Sequence, residues 1–271
     1  MPHVSIGDAE IYYTDQGSGS PVLLVAGLGG AGNYWDPQVA AFSALHRTII
    51  HDHRGTGKST FSRIDYTVGQ MTDDLVRFMD ALKIERAHIV GHSTGGAMGQ
   101  VLAIDHPDRV DGLVLFSTWT KADPFLRRSL ETRRLLATAA GAEAYVAAIP
   151  IFLHSSWWVN DNAELLAARD KTAAAAFPPI EIAASRIDGI LAFDREADLG
   201  RITAPTLVIC ARDDFATPFY YSEALVKAIP GARLVEFSTG GHASSQTIPD
   251  KFNAEVLGFL ADLDERKRRT N

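Results

Sequence analysis

The sequence predicts an α/β fold, a largely parallel sheet with helices on both faces, and three observations predict it. Continuous apolar runs, such as Val22 to Val25 and Leu207 to Cys210, alternate with helical patterns; such runs belong to parallel sheets covered on both sides. From Trp119 to about Leu199 that alternation stops and only helical patterns remain, as expected of an insertion over the carboxyl ends of the strands. Between one strand and one helix stands a tight glycine–serine turn.

Val4 to Asp15 reads as a leading strand pair, with Gly17 to Pro21 as the turn after it. Pro21 to Ala26 is the first central strand, Gly27 to Gly30 its loop, and Pro37 the start of a helix. Strands follow at Arg47 to His51, Ala87 to Val90, Gly112 to Ser117, Ala204 to Cys210 and Arg233 to Phe237. The division expected is a core of residues 1–118 and 200–271 with a helical cap, 119–199, inserted in it.

Gly91-His92-Ser93-Thr94-Gly95 is a G-x-S-x-G pentapeptide with a strand before it and a helical pattern, Gly96 to His106, after it. That context defines a nucleophile elbow, in which small flanking residues let the chain turn sharply enough to present the serine hydroxyl. A serine hydroxyl needs a base, and the base an orienting acid. Of the nine histidines only His242 lies beyond the acidic loop Arg212 to Pro218, and it follows a strand and two glycines. The expected triad is therefore Ser93, Asp214 and His242. Asp214, four residues before Pro218, is favoured as the acid, with Asp213 as the alternative. Leu28 and Thr94 are the expected oxyanion-hole amides, Thr94 because it follows the nucleophile and Leu28 because it lies in the loop after the first central strand.

Two motifs mislead. Gly27 to Gly32 matches G-x-G-x-x-G, with Asp52 about twenty residues on as in a dinucleotide fingerprint. Residues Asn33 to Pro37 separate those glycines from the helix, however, and the Ser–Asp–His order would go unexplained. Arg54 to Ser59 suggests a phosphate-binding loop, yet Asp52 stands where its first glycine belongs. A tight turn, with Arg54 tying neighbouring loops, fits better.

At 271 residues, 46% hydrophobic and 22% charged, the composition is that of an ordinary globular domain. A net charge of −7 argues against nucleic acid and anionic membranes as partners and leaves a small molecule. The basic tail Arg266 to Arg269 reads as a solvated helix end, and the alanine-rich stretches 137–141 and 171–176 as helix. Cys210, the single cysteine, reads as a core residue and fits a reducing compartment. No apolar run of membrane-spanning length and no signal layout are read, so a cytoplasmic protein is expected.

These motifs, in this order, resemble the α/β-hydrolase superfamily over essentially the whole chain. The resemblance implies the α/β-hydrolase fold: an eight-stranded, mostly parallel sheet, helices on both faces, a helical cap, no cofactor and no metal. Gly27 to Trp35 with Pro37 and Gln38, the segment Ile151 to Trp157, and Gly240 to Ala243 followed by Phe252 and Asn253 are most similar to the enol-lactonase and aminoacrylate hydrolase group. The chain departs from that group at Ala26, where many members carry histidine, and at Ser93, where aminoacrylate hydrolases tend to carry alanine. A serine favours covalent acyl chemistry and separates the chain from relatives that use aspartate there.

The activity implied is hydrolysis of a small ester, lactone or activated amide or carbamate in a degradation pathway. Carbon–carbon bond hydrolysis, a cofactor-free lyase or oxygenase, and a slow-turnover ligand receptor are the alternatives. Trp35, Trp119, Phe152, His154, Trp157, Trp158 and Phe193 are the candidate substrate contacts. His154, Arg127, Arg128 and Arg186 are the candidates for a substrate carboxylate, and each taken singly reads as a solvated surface residue.

Overall fold

The apolar runs become strands of one eight-stranded sheet in the computed structural model, which describes residues 2–270. In chain order come β1 (His3–Ser5), β2 (Glu10–Gln16), β3 (Pro21–Val25), α1 (Asp36–Ser43), β4 (Arg47–His51), α2 (Val68–Ala81), β5 (Ala87–His92), α3 (Thr94–Asp105) and β6 (Val110–Phe116). Helices α4 (Pro124–Leu135), α5 (Gly141–Leu153), α6 (Ser156–Asp161), α7 (Ala163–Ala175) and α8 (Ile180–Leu191) follow. The chain then forms β7 (Thr206–Ala211), α9 (Tyr220–Ala228), β8 (Arg233–Phe237), α10 (Ser244–Thr247) and α11 (Pro249–Thr270). The strand order is β1-β2-β4-β3-β5-β6-β7-β8, antiparallel at β1–β2 and β2–β4 and parallel in every other pair.

Alternation of side chains along each strand divides the core into two layers. Leu23, Val25, Ile89, Leu113 and Leu115 pack with Leu75 and Phe78 of α2 and Met98 and Leu102 of α3. Val22, Leu24, Val90, Val114 and Phe116 pack on the other face with Phe42 of α1 and Phe252, Val256 and Leu260 of α11. Each such side chain contributes roughly 1.5–3 kcal/mol when fully buried. The sheet is thus fixed from both sides, and the loops at its strand ends are left to carry chemistry.

Arg54 ties loops together, as the sequence suggests. Its side chain, 3% exposed, makes paired hydrogen bonds to Asp8 (2.7 and 2.9 Å) and to Asp74 of α2 (both 2.9 Å). Those hydrogen bonds hold the Asp8 carboxyl down to about 2. Arg54→Met is expected to cost about 3–5 kcal/mol, because it strands Asp74 without its cation. The urea unfolding midpoint measures this, and an unchanged midpoint would contradict it. Asp52 likewise joins loops: it accepts the amides of Gly32 (2.6 Å) and Lys58 (2.8 Å), so it is spent on structure rather than on a ribose. Helix α1 begins beyond the glycines, with proline in its first turn, which also speaks against a dinucleotide fingerprint.

The helices between β6 and β7 leave and rejoin the sheet at one point. An isolated bridge pairs Lys121 with Asp194, and their side chains form an ion pair at 2.8 Å. The expectation that no apolar run reaches membrane-spanning length is not met. The helical run Pro124–Leu153 contains an 18-residue window of mean hydropathy 1.6, long and apolar enough by length and composition to cross a membrane. It arises because α4 and α5 join through a π-helical turn, Leu136–Ala140, across Gly141, where a reading of separate segments breaks the run. Part of its apolar surface is used internally: Val146, Ile149, Pro150 and Leu153 line the cavity described next.

Candidate active site

Strand β5 ends at His92 and α3 begins at Thr94, so Ser93 makes the turn with φ 54° and ψ −115°. A residue with a side chain seldom adopts such angles, and the surroundings have to impose them. Here the Ser93 amide donates to the Phe116 carbonyl (2.9 Å), and Thr118 Oγ1 donates to the Ser93 carbonyl (2.7 Å). The elbow also needs empty space. A Cβ on Gly95 would lie 2.2 Å from the Val25 carbonyl oxygen, and one on Gly91 2.4 Å from that of Gly95. The glycines of the motif are therefore a steric requirement.

The structure brings Asp214 to His242. Nδ1 of His242 lies 3.0 Å from both carboxylate oxygens of Asp214, with both side chains buried. A carboxylate accepts, so Nδ1 carries the proton and Nε2 is left as the basic nitrogen. Asp214 also accepts from the Thr217 amide (2.9 Å) and hydroxyl (3.0 Å), which fixes its orientation. The neighbouring Asp213 points elsewhere. It accepts from Ser155 Oγ (2.6 Å), Thr239 Oγ1 (2.7 Å) and the Gly241 amide (2.9 Å), joining the segment after α5 to the His242 loop. Burial raises its pKa, but these hydrogen bonds outweigh burial and lower it overall.

The His242 loop is clamped from two further sides. Nε2 of His92 donates to the His242 carbonyl (3.0 Å), and burial keeps that imidazole neutral by pushing its pKa well below the usual value. The Ala243 amide donates to the Leu153 carbonyl (2.8 Å). Gly241 adopts φ 68°, and a Cβ there would meet Ser155 N at 2.7 Å, so only glycine allows this approach. Gln38 Nε2 holds the Ser245 carbonyl (2.7 Å), which explains why that buried glutamine accompanies the motif.

Ser93 and His242 line one cavity of about 270 Å³. Its floor is the loop Ala26 to Ala31 with Tyr34 and His92, and α5 and α7 supply its roof through Val146, Ile149, Leu153, Leu166 and Ala173. Leu28 lines it, and Thr94 opens α3, where a first-turn amide has no intrahelical acceptor. A larger cavity of about 1020 Å³ adjoins it, sharing Leu28, Asn33, Val146, Arg169 and Ala173.

Of the seven substrate candidates, His154 alone lines the catalytic cavity among the described residues. Its ring stacks on Trp158 (4.4 Å, 12°), so that tryptophan supports the histidine from outside the cavity. Trp35 is fully buried below the site, against Phe252 and edge-on to Tyr34 and His92. Trp119 and Phe193 pack edge to face in the core. Phe152 leans on Phe215 and Arg133, and the exposed Trp157 donates to Thr239 Oγ1 (2.9 Å). Large aromatics fill the seams between layers because that buries the most surface.

Burial pulls the pKa of His154 down to about 4, which leaves it a neutral hydrogen-bonding group rather than a cation for a carboxylate. Arg133, Arg169, Asp170 and Gln246 are among the polar lining residues that the sequence did not single out. Arg133 is 7% exposed, donates to Tyr145 OH (2.9 Å), and leaves its buried Nε unpartnered. Of the other arginines considered, Arg127 pairs with Glu131 on the surface and Arg128 is exposed, whereas Arg186 is fully buried and lines the larger cavity.

A family model for the α/β-hydrolase fold matches residues 20–245. The chain belongs to the α/β-hydrolase fold family. It is 41% identical over 265 residues, 98% of this chain and all of the other, to a protein of Azorhizobium caulinodans named as a carbamate hydrolase, RutD. A protein of the same name from Caulobacter sp. strain K31 is 42% identical over 241 residues, 89% of this chain and 90% of that one. Among solved structures of α/β hydrolases, the enol-lactonase from Burkholderia xenovorans LB400 superposes with a TM-score of 0.88 at 30% identity, covering 96% of this chain and 100% of that chain. An enol-lactonase and the RutD proteins among these relatives agree with the resemblance to the enol-lactonase and aminoacrylate hydrolase group.

Proposed function

We propose that the protein is a serine hydrolase of a small ester, lactone or activated amide or carbamate, working through an acyl-enzyme on Ser93. The observation that carries this is the shared cavity: Ser93 on its strained elbow and His242 on its Asp214 line the same space. Nε2 of His242 takes the Ser93 proton as Oγ attacks the substrate carbonyl. The amides of Leu28 and Thr94 receive the oxyanion. The imidazolium returns the proton to the leaving alcohol or amine, and water repeats the cycle on the acyl-enzyme. Relatives named for a carbamate and for an enol-lactone agree with acyl substrates.

The cavity sets the size and character of the substrate. About 270 Å³, walled largely by aliphatic side chains, suits a small molecule. Arg133, buried and short of a partner, puts a positive charge on a wall that Arg169 and Asp170 also line, and favours a substrate with an anionic or strongly polar end. The test is steady-state hydrolysis of a panel of small esters, lactones and carbamates, each with and without a carboxylate. Turnover of at least about 1 s⁻¹ is expected on one class, in the ordinary range of enzymes. A single stoichiometric cleavage with no steady state would indicate a slow receptor instead.

A further inference from the structure

Arg186 of α8 is 1% exposed, and none of its hydrogen bonds among the described residues goes to a carboxylate. Its donors go to polar atoms of the core loops. Nε and Nη2 both reach the Leu28 carbonyl (3.1 Å each), Nη1 reaches the Arg54 carbonyl (3.3 Å), and Nη2 reaches Nδ1 of His53 (3.1 Å). His53 accepts because burial keeps its ring neutral. Burial lowers the Arg186 pKa to about 10, so the guanidinium is still charged at neutral pH. A cation taken out of water without a counter-ion is costly, and the Tyr66 ring, 5.7 Å from its guanidinium, offsets only part of that cost. Such a charge calls for a use.

We propose that Arg186 is a positioning residue for the oxyanion hole. By gripping the Leu28 carbonyl with two nitrogens it fixes the backbone of Leu28, and with it the amide that receives the oxyanion. Its charge rests on the carbonyl of the same residue whose amide is the proposed oxyanion donor. Arg186 belongs to the inserted helices and Leu28 to the core, so the hole is complete only while the insertion is seated. The proposal rests on the acyl-enzyme mechanism above.

The test compares wild type with Arg186→Met, Arg186→Gln and Arg186→Lys, reading kcat, KM, Tm and the affinity of a trifluoromethyl ketone that adds to serine as a tetrahedral oxyanion. For Arg186→Met, kcat is expected to fall roughly 10- to 100-fold, the scale of a displaced oxyanion donor, with KM nearly unchanged. Ketone affinity should weaken by the same factor as kcat/KM. Lysine, a single-point donor, should recover only part of the loss. If Met fails to fold, Gln and Lys carry the comparison. A lower Tm with unchanged kcat and ketone affinity, measured well below that Tm, would make Arg186 a structural strut and overturn the proposal. Wild type that does not bind the ketone contradicts the serine mechanism itself. Tight binding by wild type and variants alike contradicts only the role of Arg186.

Discussion

Ser93→Ala is expected to lower hydrolysis on the order of 10⁵- to 10⁶-fold while leaving the fold intact, because serine, base and acid act as a unit. Alanine can occupy the same strained backbone, which is held by the Phe116 carbonyl and Thr118 hydroxyl rather than by the Ser93 side chain. The variant should therefore unfold near the wild-type temperature. Turnover within about tenfold of wild type would remove the covalent step. The chemistry would then pass to His242 as a base acting directly on water or substrate, the arrangement expected for carbon–carbon cleavage or lyase activity.

Asp214→Asn is expected to cost about 10⁴ in kcat, the scale seen when an amide replaces the acid of such a triad. The carboxylate accepts from His242 Nδ1 and twice from Thr217. An asparagine presents a donor where one of those oxygens stood, which favours the wrong imidazole tautomer. Asp213→Asn keeps all of these contacts. What it weakens is the tie from Ser155, Thr239 and Gly241 to the histidine loop, so its effect should fall on Tm more than on kcat. The opposite ranking of the two variants would move the acid to Asp213. Kinetics of both variants on one substrate decide between them.

The parts legible in the sequence are those whose signal is local. The elbow is a contiguous pattern whose glycines leave no room for a Cβ, β3 and β7 carry unbroken apolar runs, and β5 and β6 carry shorter ones, at Ile89-Val90 and Leu113 to Phe116. The cavity walls are a different matter. Val146, Ile149, Pro150 and Leu153 recur at helical spacing, and nothing in that spacing tells a stripe facing a cavity from one facing a core. The aromatic side chains draw attention, yet Trp35, Trp119 and Phe193 are buried elsewhere, for the reason that makes aromatics good core residues. Arg186 reads as a surface residue because buried arginines usually have acids, whereas its acceptors are two backbone carbonyls and a neutral imidazole. Backbone carbonyls leave no trace in a sequence.

Exposure of the folded protein to a fluorophosphonate, followed by peptide mass mapping with Ser93→Ala as control, tests most directly whether Ser93 is an activated nucleophile. One adduct on the peptide carrying Ser93, absent from the alanine variant, is the result expected. A folded wild-type protein that stays unmodified at Ser93, or is labelled equally with and without that serine, would contradict it.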